Sequence, residues 1–177
     1  MADLLTEIIA QPRSLFEEVN GRPESLVIFI SSRIVGYKRM RQRCAETIEA
    51  TGMMQAWYWE RDARAGPTSA PHVCLRRAGT SDGLILIVGK ELSDITCQEY
   101  AAARGRHIPR FIFIDERKKQ TQATLAFIEA EKSEVTIVRF RNHQELRSNV
   151  LEAIRKFNSD SWRTASHAYH EQHRETP

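Results

Sequence analysis

Five short apolar runs punctuate this chain, each too short to be a helix: residues 26–30 (LVIFI), 55–60 (QAWYWE), 84–88 (LILIV), 110–114 (RFIFI) and 135–138 (VTIV). Most are rich in β-branched and aromatic residues, which suits strands buried on both faces. Between them lie stretches with apolar residues at helical spacing. Strands that alternate with helices pair in parallel through right-handed crossovers, so the pattern predicts a three-layer α/β domain. For five parallel strands the common order is 2-1-3-4-5. A crevice then opens beyond the C-terminal ends of the first and third strands, where the order reverses.

The chain around the third strand decides what that crevice contains. Gly89 breaks the apolar run, a polar loop follows, and a helix rich in small residues begins. Thr96 and Glu99 have the spacing of a capping box, with Thr96 as the N-cap. This places the Glu99 carboxylate in the first helical turn, beyond the end of a central strand, as either the reactive group or a plain cap. Ser31, Ser32 and Arg33 follow the first strand, and Gly89 and Ser93 lie on the loop before Glu99. Hydroxyls, a guanidinium and a helix N-terminus suit a phosphate or a ribose. Glu60 ends the second strand, where it either orients a ribose or stands solvated. The chain has no GxGxxG and no Walker sequence, so a standard dinucleotide or nucleoside triphosphate fold is not indicated.

The remaining segments fill out the domain. A helix over residues 37–50 sets Tyr37, Met40, Cys44 and Ile48 inward, and Gly52 ends it. Its basic residues Lys38, Arg39, Arg41 and Arg43 read as a solvated face, with one or two leaning toward an anionic ligand as the sharper alternative. Trp57 and Trp59 share one face of the second strand and fill a core. Residues 61–70 form a loop of small and polar residues suited to a lid, and Pro71 opens a helix over 71–78. A helix over 120–131 precedes the fifth strand. Asn142 and Glu145 then make a cap pattern for the last helix, whose inner face is Leu146, Val150, Leu151, Ile154 and Phe157. Residues 1–22 read as an amphipathic helical extension that packs on the domain or docks a partner, residues 23–158 as the domain, and 159–177 as a polar tail. The tail's His167, His170 and His173 read as solvated rather than as metal ligands.

Composition excludes several classes. With 26 basic and 23 acidic residues the net charge is +3, too small an excess to argue for nucleic acid. Cys44, Cys74 and Cys97 form no CxxC pair, so they read as buried or half-buried free thiols rather than a disulfide framework or zinc site. The first residues lack the long apolar core of a signal peptide, and no apolar run approaches the ~20 residues of a membrane span. The expectation is a cytoplasmic protein without membrane or metal.

Several motifs in order give a more specific expectation. These are VIFISS after a short N-terminal segment, WER in the second strand, CLRRAGTSDGLILIVG, T-x-x-E-Y-x-x-A from Thr96 to Ala103, and P-x-F-I-F-I from Pro109. Over about residues 25–115 they resemble the DUF4062 domain, a TIR-like domain that often opens bacterial defence and STAND-type proteins. The resemblance implies a flavodoxin-like sheet. It also implies NAD+ as substrate rather than bound cofactor, since many TIR domains cleave its nicotinamide–ribose bond with a glutamate that corresponds to Glu99. Where such domains carry a serine and a tryptophan-cysteine before that glutamate, this chain has Ser93 and Thr96-Cys97. Nucleoside deoxyribosyltransferases share the layout and also use a glutamate there, which implies a nucleoside or nucleotide N-glycosidase as an alternative. Other relatives only self-associate or bind a signalling partner.

The chemistry fits one carboxylate. Nicotinamide leaves a cationic bond as a neutral molecule, so no general acid is required. The transition state resembles an oxocarbenium ion, which a nearby carboxylate stabilises or captures.

Overall fold

The computed structural model describes residues 25–173. The expected N-terminal extension therefore lies outside the described residues. The sheet has five strands: β1 (Leu26–Ser32), β2 (Met54–Trp57), β3 (Gly83–Val88), β4 (Arg110–Asp115) and β5 (Ile137–Phe140). All pairs are parallel, as the alternation predicts, and the order is 2-1-3-4-5, the common one for five parallel strands. The helices are α1 (Lys38–Glu49), the single turn α2 (Trp59–Asp62), α3 (Ala70–Thr80), α4 (Asp94–Gly105), α5 (Gln122–Glu131) and α6 (His143–His173). The last helix thus runs on well past Ser159, where the sequence suggested only a polar tail.

Alternation along each strand builds two cores. Ile28 and Ile30 of β1 face α1 and α6, meeting Met40, Cys44, Ile48, Leu146, Val150 and Ile154. Val27 and Phe29 face the other way, toward Cys74, Ala78, Tyr100, Ala103 and Ile128 of α3, α4 and α5. β3 lies between neighbours and is buried at every residue, which is why it reads as an unbroken apolar run.

Three boundaries differ from the sequence reading. The second strand ends at Trp57, because the Asp62 carboxylate accepts from the Tyr58 backbone N–H at 2.9 Å and closes a helical turn. Glu60 is therefore on α2, not at a strand end. Trp57 still stacks on Phe29 with ring centroids 5.1 Å apart, and Trp59 packs against the same core. The fifth strand starts at Ile137 because the Val135 amide is bonded to the Glu131 carbonyl at the end of α5. The N-cap of α4 is Ser93, not Thr96: the Ser93 hydroxyl accepts from the Thr96 amide at 3.3 Å and lies 2.8 Å from its hydroxyl. Glu99 is thus in the second turn and caps nothing.

The helix that carries Glu99 is clamped to its neighbour. The Tyr100 hydroxyl donates to buried Glu131 of α5 at 2.6 Å, and Arg104 lies 3.2 Å from the same carboxylate. Glu131→Ala leaves a buried phenol without its acceptor. The expected cost is about 2 kcal/mol, read from urea unfolding.

Candidate functional site

Chain direction across the sheet reverses between β1 and β3, so the crevice that can host a ligand lies beyond their C-terminal ends. Ser31 and Ser32 end β1 and, as successive strand residues, point to opposite faces. That alternation divides the expected site in two.

On the α4 side, the Ser31 hydroxyl donates to the Glu99 Oε2 at 2.5 Å. The Cys74 thiol of α3 also bonds this carboxylate. Glu99 is only 7% exposed. Burial raises its carboxyl, the bonds from Ser31 and Cys74 and the charge of Arg41 oppose it, and the net is a group pushed up to about 7. Burial and the adjacent Glu99 push the Cys74 thiol up to about 12, so it stays protonated and acts as a donor.

On the α1 side, Arg41 is 2% exposed. It does not belong to a solvated basic face, as the sequence reading had it. Its Nε donates to Glu60 Oε2 at 2.9 Å and its Nη2 to Glu60 Oε1, a bidentate pair. Nη1 donates to the Ser32 hydroxyl and to the Arg33 carbonyl at 2.8 Å, and Nη2 to the Ile34 carbonyl at 3.0 Å. Burial raises the Glu60 carboxyl, but the bonds from Arg41 outweigh it and leave the group below its ordinary range.

Arg33 turns outward to pair with Glu91, both about two-fifths exposed at 42% and 43%. Gly89 meets Tyr37 of the segment that leads into α1, and a Cβ there would sit 2.2 Å from the phenol oxygen. The Tyr37 hydroxyl donates to the fully buried Asp115 at 3.2 Å, and Arg117 holds the same carboxylate through Nε and Nη2 at 2.8 Å each. Of the expected residues the structure therefore joins Ser31 and Glu99. It gives Ser32 and Glu60 to Arg41, Arg33 to Glu91, Gly89 to Tyr37, and Ser93 to the helix cap.

Arg41, Cys74, Tyr37 and Asp115 were not singled out as site residues. For Arg41 a signal existed: Tyr37, Arg41, Cys44 and Ile48 are spaced four, three and four, so Arg41 stands on the apolar stripe. Among the cysteines, Cys44 and Cys74 are buried as expected and Cys97 is exposed. Among the described residues no three His, Cys, Asp or Glu side chains gather as metal ligands would, and no helix is long and apolar enough to cross a membrane.

The sheet order defines a three-layer, flavodoxin-like α/β domain with a buried acidic group at the switch point of its sheet. The chain belongs to the family described as "Domain of unknown function (DUF4062)", which matches residues 27–161. No curated protein matches it significantly. Among solved structures it is similar to a conserved protein from Enterococcus faecalis, at 11% identity over 73% of this chain and 99% of that one, with a TM-score of 0.49. It is also similar to the TIR domains of the activated Roq1 resistosome that recognises the pathogen effector XopQ, at 14% identity, 74% and 84% coverage and a TM-score of 0.47. A flavodoxin-like domain from Synechococcus sp. is similar at 9% identity, 76% and 99% coverage and a TM-score of 0.48. At these identities the likeness is one of layout and carries nothing about activity.

Proposed function

We propose that this domain cleaves the nicotinamide–ribose bond of NAD+, with Glu99 as the group that stabilises or captures the ribosyl cation, in bacterial immune signalling. The observation that supports it most is the Glu99–Ser31 pair at the switch point of the sheet. A buried carboxyl with a pKa of about 7 gains free energy from a cation beside it, so its environment favours the charge that develops as nicotinamide departs. In the structure the carboxylate is covered, and turnover requires it to be uncovered.

The test uses the full chain with NAD+ and measures free nicotinamide by chromatography, beside Glu99→Gln. Release by the wild type that is lost in the variant supports the reading. Release that survives the substitution rejects Glu99, and no release at high protein concentration rejects the activity. The pH dependence is specific. Activity requires the ionised carboxylate, so it rises with pH through about 7. Ser31→Ala and Cys74→Ala each remove a donor that favours the carboxylate. Each shifts the midpoint upward, by roughly half a unit or more, in a profile of kcat against pH.

A second reading is a non-catalytic module that self-associates or binds a signalling partner. It is favoured by the 7% exposure of Glu99 and by Ile34 and Val35, which stand 54% and 73% exposed on the loop just after β1. Concentration-dependent sedimentation of the wild type beside Val35→Asp separates the two readings, because assembly through this loop is lost in the variant.

A further inference from the structure

We infer that Arg41 is a positioning residue for Glu99: from the opposite face of the sheet it fixes the end of β1 from which Ser31 holds the carboxylate. The inference rests on the reading of Glu99 as the reactive group.

A guanidinium has five N–H donors, and every one of Arg41's is matched to an acceptor: two on Glu60, the Ser32 hydroxyl, and the carbonyls of Arg33 and Ile34. Three of these acceptors belong to consecutive residues, 32 to 34, where β1 runs out of the sheet. The strand ladder cannot hold that segment, because its last partner in β3 is Ile87, opposite Ser32. Arg41 therefore does for the strand end what a neighbouring strand does for its middle. Ser31 is the residue immediately before, and its hydroxyl is bonded to Glu99. Moving the backbone at Ser32 moves Ser31, so the geometry at Glu99 depends on a side chain that does not touch it.

A purely structural role explains this arrangement less well. Buried ion pairs add little net stability over apolar residues of similar volume, since desolvation offsets their attraction. The fork at Arg41 spends its donors on backbone carbonyls of one loop, which specifies a conformation. Its charge also reaches Glu99 through the sheet and favours the ionised form. The groups facing Glu99 are then Ser31 from β1, Cys74 from α3 and Arg41 from across β1.

The experiment compares wild type, Arg41→Lys, Arg41→Met and Glu60→Gln as full chains. Lysine keeps the charge but has three donors in place of a planar fork. The first readout is NAD+ cleavage. Arg41→Lys is expected to lower kcat by roughly 100-fold with KM little changed, as for a reacting group displaced by about an ångström. The second readout needs no activity: the Glu99 titration, obtained in each background from how the stability difference caused by Glu99→Gln varies with pH. Arg41→Met removes the positive charge that favours the carboxylate and shifts this midpoint upward. Glu60→Gln leaves that charge in place and is read for kcat, which falls as one arm of the fork is loosened.

An upward shift in Arg41→Met together with the loss of kcat in Arg41→Lys supports the inference. Wild-type kcat in a folded Arg41→Lys overturns it, as does an unmoved midpoint in Arg41→Met. If Arg41→Met or Arg41→Lys fails to fold, Glu60→Gln decides alone, and wild-type kcat there overturns the inference. If the wild type releases no nicotinamide, the proposed activity fails, and the titrations alone decide whether Arg41 governs Glu99.

Discussion

Glu99→Gln is expected to lower nicotinamide release by roughly 100-fold or more and, at pH 8, to make the protein more stable. Ordinary catalytic substitutions do not predict the second effect. The carboxyl is raised from 4.5 to about 7 by burial, against the bonds from Ser31 and Cys74 and the charge of Arg41. Between those two values the native state holds a proton that the unfolded state has released, so stability falls as pH rises. Below pH 4.5 both states are protonated and the penalty is absent. Above pH 7 it is complete, on the order of 3 kcal/mol at 1.36 kcal/mol per unit. Glutamine still accepts the Ser31 hydroxyl bond and carries no charge to desolvate. Urea unfolding at pH 5 and pH 8 therefore gives wild-type and variant midpoints that are close at the lower pH and separated at the higher, with the variant ahead. A variant equally destabilised at both would sink the burial account of this site.

Gly89→Ala is the second large effect. The added methyl would lie 2.2 Å from the Tyr37 hydroxyl oxygen, 2.7 Å from its Cζ and 2.8 Å from its Cε2, so the ring itself must move and not merely its tip. Tyr37 is 7% exposed, and its hydroxyl is bonded to buried Asp115. Overpacking and the broken bond together are expected to cost about 3 kcal/mol. Tyr37→Leu removes the colliding atoms, so in that background Gly89→Ala should cost about 2 kcal/mol less, a coupling read from a double-mutant cycle by denaturant unfolding. Additive costs would mean that the close approach is not what demands glycine.

The fold was legible because its signals are local and redundant. The LILIV run is buried on both faces in a central strand, and alternation with helical stretches left one common order. Two of the three boundaries that moved were set by side chains reaching along the chain, Asp62 to the Tyr58 amide and Ser93 to the Thr96 amide, and the third by the Val135 amide bonding back to the Glu131 carbonyl. Ser93-x-x-Thr96 and Thr96-x-x-Glu99 compete as cap signals, and spacing alone does not rank them. The site was legible only in half. Position along the chain put Ser31 and Glu99 at the same edge, but the pleat that sends Ser32 to the other face is a property of the built strand. Arg41 was obscured by its neighbours, because Lys38, Arg39 and Arg43 around it are exposed and one basic residue among four looks like the rest.

Gln120 carries a consequence for how this edge responds to salt. Its side-chain amide lies within bonding distance of the carbonyls of Gly89, Asp115 and Lys118, and the Thr121 amide bonds the Lys90 carbonyl at 2.9 Å. The segments that leave β3 and β4 are thus riveted into one plate, which neither can leave alone. Over the other flank, between β1 and β3, the ion pair of Arg33 with Glu91 is half in water, where such pairs contribute little. Raising the ionic strength therefore loosens the Arg33–Glu91 pair while leaving the hydrogen-bonded plate untouched.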